Sequence, residues 1–493
     1  MKKDNSSYNQ ILKSTSIFGG SQVIIILIGI VRSKIIAVLL GPAGVGFIGI
    51  CYSIIDTFRA GCGLGMDTAG VKEIAEANNS ENKQALYRTI ARFNKWFKVS
   101  AIAGAIACII FCYPISIWAS GDDEYALRIA GLSVAVLLSI ITTGRSTILQ
   151  GMRRIPEMAK SAVLGSFFGL LFTAPLYFIF GIQSIVPAFI GTGLISFFCV
   201  EYYYRRQRIP KVALSNKEAF QSGLNTLKLG IYIVIAGFIG TISMFLVRTY
   251  LSRSIDIDAA GLFQSAWVIT NIYLSLILRS MGTDFFPRLS AIAGEKDKIK
   301  QLVNEQTYII LVVASPAIVT MLLFSDFALS VLYTSKFEYA SDVLRWQILG
   351  TFFKVLSWPM AFIMLAKNKG SAFLFTEVIF YAVYLLSAYL LFPSYGLDAT
   401  GIGYLIAYII YLPMVFIFSR NISDFVWRKD IIRMALINAV LITAAFFTAR
   451  LYYTEEYALI PGAIILIITL IYAYFKLKRV FNFADLKDWF RKR

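Results

Sequence analysis

Fourteen apolar runs follow one another along this 493-residue chain, each long enough to cross the roughly 30 Å hydrocarbon core of a bilayer. They read as 14–40, 47–67, 95–117, 126–147, 160–180, 185–203, 223–250, 259–283, 305–325, 341–365, 371–392, 401–419, 430–450 and 458–476. Backbone inside hydrocarbon has no water to bond, so it must satisfy itself within a helix or a closed barrel. Runs of this length without strict apolar–polar alternation specify helices. The expected fold class is an all-α polytopic membrane protein with about 14 transmembrane helices.

Between the runs, the cations alternate. One set of loops carries Lys72, Lys83, Arg88 and Arg92, then Arg153 and Arg154, then Arg205, Arg206, Arg208 and Lys211. The same set continues with Arg288, Lys296, Lys298 and Lys300, then Lys367 and Lys369, then Arg420, Arg428 and Lys429. The intervening loops are short and mildly acidic, at Asp122-Asp123-Glu124, Asp256, Asp258 and Glu455-Glu456. By the positive-inside rule both termini lie in the cytoplasm, which requires an even number of spans. The same rule accounts for the formal net charge of +18, so no nucleic-acid partner is implied.

The loop 205–222 is the longest polar break in mid-chain. It divides an N-terminal six-helix lobe, 1–204, from a C-terminal six-helix lobe, 223–420, with residues 421–493 adding two helices and a basic cytoplasmic tail. Both lobes enter the membrane from the same side. A weak internal repeat, offset by about 217 residues, supports the division. Arg32 followed by Ala43-Gly44 matches Arg248 followed by Ala260-Gly261, and Gly65-Met66-Asp67 matches Gly282-Thr283-Asp284.

Ions inside the spans carry the chemistry. The run 14–40 would be about 40 Å long at ~1.5 Å per residue, and Arg32 lies roughly 13 Å before the Gly41-Pro42-Ala43-Gly44 turn. A cation at that depth costs a few kcal/mol unless it finds water, a partner or a ligand. Lys34 is close by but about 200° away around the helix. Repeat symmetry favours Arg32, because Arg248 echoes it while Tyr250 stands opposite Lys34. Asp56 and Arg59 are spaced i,i+3 and can neutralise each other. Arg145 and Arg279 sit near cytoplasmic ends and Arg345 near an outer end, where snorkelling is open to them. Lys354 is mid-span, and Glu377 is an acid in the eleventh span. The cations outnumber the acids, which suits a cavity for an anion, with the arginine fork matched to phosphate oxygens. Contacts to lipid headgroups are the alternative use of the same residues. Candidate substrate-binding residues are Arg32, Lys34, Arg59, Arg248, Arg279 and Lys354. Asp56 and Glu377 are candidates for coupling or charge pairing, with Asp67, Asp284 and Glu201 as further proton or cation handles.

Several chemistries are excluded. With no histidine in the chain there is no Ser-His-Asp triad, no imidazole relay and no His-ligated zinc. Cys51, Cys62, Cys108, Cys112 and Cys199 all fall in apolar runs and read as small buried hydrophobes, so neither a metal nor any other cofactor is expected. No Gly-Lys dipeptide occurs, so no Walker loop is present, and any driving force comes from an ion gradient, the membrane potential or consumption of substrate.

Four segments together resemble a known family. IVRSKIIAVLLGPAGVGFIG at 30–49, SDFALSVLYTSKF at 325–337, RWQILGTFFKV at 345–355 and TEV at 376–378 are similar to the O-antigen translocases. These are Wzx-type polysaccharide flippases of the superfamily that also holds multidrug extruders and lipid II flippases. Thr351 departs from the pattern, since an acid is common there. The resemblance implies two six-helix bundles in a V around a cavity, plus two C-terminal helices. It further implies a flippase, not an enzyme, that moves an undecaprenyl-pyrophosphate-linked oligosaccharide from the cytoplasmic to the periplasmic leaflet of a bacterial inner membrane. Arg32, Arg59, Arg248 and Arg279 would line its cavity, and a polymerase and a chain-length regulator are possible associates. Two other readings stay open. A multidrug or cation extruder of the same superfamily calls for an acid-lined cavity. A membrane polysaccharide polymerase or glycosyltransferase calls for reacting groups in sizeable outward loops.

Overall fold

A computed structural model describes residues 4–79, 82–120, 123–210, 212, 214, 216–452 and 459–478. Within these it describes no side chains at 4–19, 68, 79, 119–120, 216–230, 272–277, 279–284, 287, 451–452 and 459. Among the described residues the chain is almost wholly helical, without strands. The helices are α1 (Asp4–Gly63), α2 (Met66–Asn79), α3 (Lys83–Ser120), α4 (Ala126–Gly151), α5 (Ile155–Phe180), α6 (Ile185–Arg205), α7 (Asn216–Ser254) and α8 (Ile257–Ala291). There follow α9 (Lys296–Leu323), α10 (Ser325–Leu332), α11 (Ser341–Ala366), α12 (Gly370–Tyr395), α13 (Ala399–Ser423), α14 (Lys429–Tyr452) and α15 (Leu459–Lys478).

The longest helix is really two. Gly41 adopts φ 65°, ψ −169°, outside the helical region, and splits α1 into two arms. A side chain at that φ would be strained, and the following Pro42 also turns its predecessor away from helix. With α1 counted as two arms, and the short α2 and α10 set aside, the described chain has the fourteen long helical segments expected from the apolar runs. Among the described residues ten stretches, several holding two successive helices, are long and apolar enough to cross a membrane. The chain is a polytopic α-helical membrane protein.

Local chemistry sets the helix starts. The Asn82 side chain accepts from the backbone N–H groups of Gln84 (3.0 Å) and Ala85 (3.2 Å), capping α3. Asp256 does the same for α8 through Ala259 N–H at 2.8 Å. Small residues then let helices approach. The buried stripe Ser161, Gly165, Gly169, Thr173 and Tyr177 recurs every four residues along α5. A methyl group at Gly165 or Gly169 would touch Ser196 or Thr192 of α6, so these glycines sit at the α5–α6 interface.

Contacts cluster into two compact units: residues 1–262 with 332–334, and residues 263–331 with 335–493. In the first, α3 packs on α4, α5 on α6, and α1 on both α5 and α7. In the second, α13 packs between α11 and α12, and α9 lies against α11, α14 and α15. Asn304 of α9 pins the segment before α14: its Nδ2 donates to Val426 O (3.0 Å) and its Oδ1 accepts from Arg428 N–H (2.9 Å).

One contact in the first unit is made by backbone alone. Beyond the Gly41 break, Gly46 lies against Ile257 O and the Gly261 backbone of α8, and Gly261 lies against the Pro42 carbonyl. A Cβ at either glycine would overlap main-chain atoms, which have no rotamer to retreat into.

Candidate functional site

Arg32 and Arg248 both belong to the first unit, and each is hydrogen-bonded to a neutral hydroxyl. The α5 stripe ends on Tyr177, which is 2% exposed and offers its hydroxyl to the Arg32 guanidinium. Tyr52, on the second arm of α1, lies within electrostatic reach of the same group. Arg32 Nε is buried without a hydrogen-bond partner, and among the described residues no carboxylate pairs with this cation. A phenol accepts a hydrogen bond but supplies no countercharge. Among the described residues Arg32 is therefore oriented without a countercharge.

Arg248, on α7, is 6% exposed and donates from Nη1 to Ser53 Oγ at 2.6 Å. Ser53, Asp56 and Arg59 follow at i, i+3 and i+6 on one face of the second α1 arm. Asp56 is within electrostatic reach of Arg248 and forms a 2.9 Å ion pair with Arg59. Both members of that pair are close to half exposed, so the pair adds little stability and can open to another anion. Arg32, Arg59, Arg248 and Asp56 thus all come from α1 and α7 of one unit. Lys34 lies two residues from Arg32, on a different side of the helix. The side chains of Arg279 and Asp284 lie outside the described residues.

Lys354 and Glu377 meet in the second unit. Lys354 Nζ sits 5.8 Å from the Tyr408 ring centroid, at cation–π range, and within electrostatic reach of Glu377. Glu377 Oε1 accepts from the Tyr411 hydroxyl at 2.7 Å. Phe380 and Tyr404 pack on Tyr408 with centroids 4.5 and 4.8 Å away. A cation and an acid that the sequence assigns to separate roles therefore share one aromatic nest.

Other charged residues turn out to be structural. Arg145 does not snorkel: its Nε donates to Glu201 Oε2 at 2.7 Å, it also bonds Asn94, and it lies 4.2 Å from the Tyr204 ring centroid. Arg205 Nε takes the other oxygen of Glu201 at 2.8 Å. Glu201, a candidate proton handle on sequence grounds, is occupied by two guanidiniums. Arg345 is 1% exposed and pairs with Asp326 and with Asp342, the latter at 3.1 Å. Partner type sets Arg32 apart: Arg145 and Arg345 face carboxylates and Arg59 pairs with Asp56, whereas Arg32 faces phenols. Sequence reading missed Tyr177, Ser53, Tyr408 and Tyr411, and only their placement distinguishes them among 27 tyrosines and many serines.

The Glu201 hub gives a stability prediction. Glu201→Ala leaves two guanidiniums without their carboxylate near the end of α6. A loss of about 2–4 kcal/mol is expected, somewhat below a fully buried pair. The check is a lower thermal midpoint of the purified chain, and an unchanged midpoint would show the hub to be dispensable.

Known proteins resemble this chain in sequence and fold. The family described as polysaccharide biosynthesis protein matches residues 35–342. The lipid III flippase of Escherichia coli K12 is 24% identical over 394 residues, covering 78% of this chain and 92% of that protein. The putative O-antigen transporter of Shigella flexneri is 24% identical over 384 residues, covering 75% and 88%. Among solved structures, the lipid II flippase MurJ in an inward closed conformation superposes with a TM-score of 0.71 at 15% identity, over 93% of this chain and 99% of that one. An inward-facing multidrug resistance MATE family transporter of the MOP superfamily gives 0.68 at 16% identity, over 81% and 95%. At these identities the superpositions establish the fold.

Proposed function

The chain belongs to the polysaccharide biosynthesis protein family, and from that membership we propose that it is a flippase of lipid-linked oligosaccharide precursors. The names of its relatives, a lipid III flippase and a putative O-antigen transporter, support that class of cargo. In the finer reading, the cargo is an undecaprenyl-pyrophosphate-linked repeat unit of an O-antigen type. It moves from the cytoplasmic to the periplasmic leaflet of a bacterial inner membrane by alternating access, and both termini are cytoplasmic.

One observation carries this reading: Arg32, an intramembrane cation fixed by the neutral Tyr177 hydroxyl and matched by no carboxylate among the described residues. A pyrophosphate cannot enter hydrocarbon bare, because a buried unpaired ion costs many kcal/mol. An oriented guanidinium meets that anion with two parallel hydrogen bonds. Arg248, held by the Ser53 hydroxyl and within electrostatic reach of Asp56, supplies a second guanidinium. A carrier of cationic drugs would require the reverse polarity at this place. Lys354 and Glu377 are proposed as the element that couples transport to an ion gradient, since Lys354 can trade its contact with Glu377 when a proton reaches the acid.

Deleting the gene and locating the accumulated intermediate tests the proposal. Unpolymerised lipid-linked units should build up on the cytoplasmic leaflet while surface glycan disappears. Units that reach the periplasmic face but are not lengthened would point to a polymerase.

A further inference from the structure

A cavity of about 650 Å³ opens in the first unit between the second arm of α1, α3 and α7. Ile54, Thr57 and Phe58 line it from α1, and Phe238, Ile242 and Phe245 from α7. Its volume falls in the range of pockets that hold organic ligands. By volume it would take on the order of twenty waters, yet each buried water needs two to four polar partners. The lining offers two polar side-chain atoms, the Trp118 indole N–H and the Thr57 hydroxyl, and Thr57 Oγ1 is itself buried without a hydrogen bond. Such a space favours hydrocarbon. On the α3 side Phe111 and Trp118 are about half exposed, which leaves the cavity open on that side.

Resting on the flippase reading, we infer that this cavity receives the first isoprene units of the substrate's polyprenyl chain, beside the cations that take its pyrophosphate. Continuity selects this occupant over a bilayer phospholipid. On α1 the cavity residues Ile54, Thr57 and Phe58 alternate with Ser53, Asp56 and Arg59 of the polar site. On α7 the stripe Phe238, Ile242, Phe245 leads to Arg248 one turn later, about 4.5 Å along the axis. A diphosphate on Arg248 therefore delivers its hydrocarbon to Phe245 without spanning a gap. Arg248 is 6% exposed and bonded to Ser53 of α1, so its anion is met within the helix packing, whereas a phospholipid keeps its head at the membrane surface. The inference assigns the cavity a discriminating role: it would favour a polyprenyl diphosphate over a bare anion of the same charge.

The test uses the full chain in nanodiscs and two probes, undecaprenyl diphosphate and inorganic pyrophosphate, with phosphatidylglycerol as competitor. The parent protein should bind the polyprenyl probe more tightly. Ile242→Trp and, separately, Ile115→Trp occupy the cavity from α7 and from α3. Each should cut that preference about tenfold or more, as displacing a few buried methylenes would. Pyrophosphate binding by each variant reports whether its polar site is still folded, and the two independent positions guard against one of them misfolding. An unchanged preference in both folded variants overturns the inference, and so does loss of the preference when phosphatidylglycerol is added to the parent. A parent that binds neither diphosphate overturns the flippase reading itself and this inference with it.

Discussion

Replacing Arg32 with alanine should abolish glycan export while the chain remains folded in the membrane. The guanidinium makes its described contacts with neutral phenols, so its removal strands no carboxylate among the described residues, and the structural cost there falls on the Tyr177 hydroxyl. The functional cost is larger. Losing a bidentate, charge-assisted pair with a desolvated phosphate costs about 2–5 kcal/mol. Since about 1.4 kcal/mol is tenfold, transport should fall roughly 30-fold or more. Arg32→Lys should retain part of the activity, because charge survives and the planar fork does not. The measurements are surface glycan in cells complemented with each variant and the monodispersity of the purified proteins. Full export by the alanine variant would remove Arg32 from the substrate path.

A comparable loss is expected from Gly261→Val, by a steric route. Its Cβ would overlap the Pro42 carbonyl, and neither surface of that contact has a side chain to rotate away. Relief requires the start of α8 to part from the segment beyond the Gly41 break, and overpacking of this kind typically costs about 1–3 kcal/mol. Backbone amides of residues 43–50 and 257–263 should exchange faster with solvent deuterium than in the parent protein. Transport should also fail if closure at this point belongs to the cycle. Unaltered exchange at both segments would mean that the contact does not hold these helices together. Gly237 is the control, because a methyl group added there would meet no heavy atom within 4 Å. Gly237→Ala should change neither exchange pattern.

Features carried by single residues or by neighbours in sequence are legible in the chain itself. The apolar runs become helices because a spanning backbone has no other partners, and GPAG breaks α1 because Gly41 and Pro42 dictate their own dihedral angles. The i,i+3 spacing of Asp56 and Arg59 anticipates their ion pair. Partners distant in sequence are not legible. Arg145 finds Glu201 56 positions away, and Arg32 finds Tyr177 farther still, through the packing of α1 on α5. Composition can count the excess of cations over acids, but it cannot say which cations take the acids. Packing makes that choice: Arg145 and Arg345 receive carboxylates, and Arg32 receives a phenol.

The glycine contact between α1 and α8 also bears on how this protein can be repaired by selection. When two side chains collide, a smaller residue on the facing helix often restores the fit. Here Gly261 faces a carbonyl and another glycine, so nothing opposite it can shrink. Revertants of Gly261 substitutions should therefore cluster in true reversion to glycine, or at the Gly41-Pro42 hinge that sets the path of the opposing chain. Intragenic suppressors at residue 46 should be missing from such a collection, because that position already carries the smallest residue available.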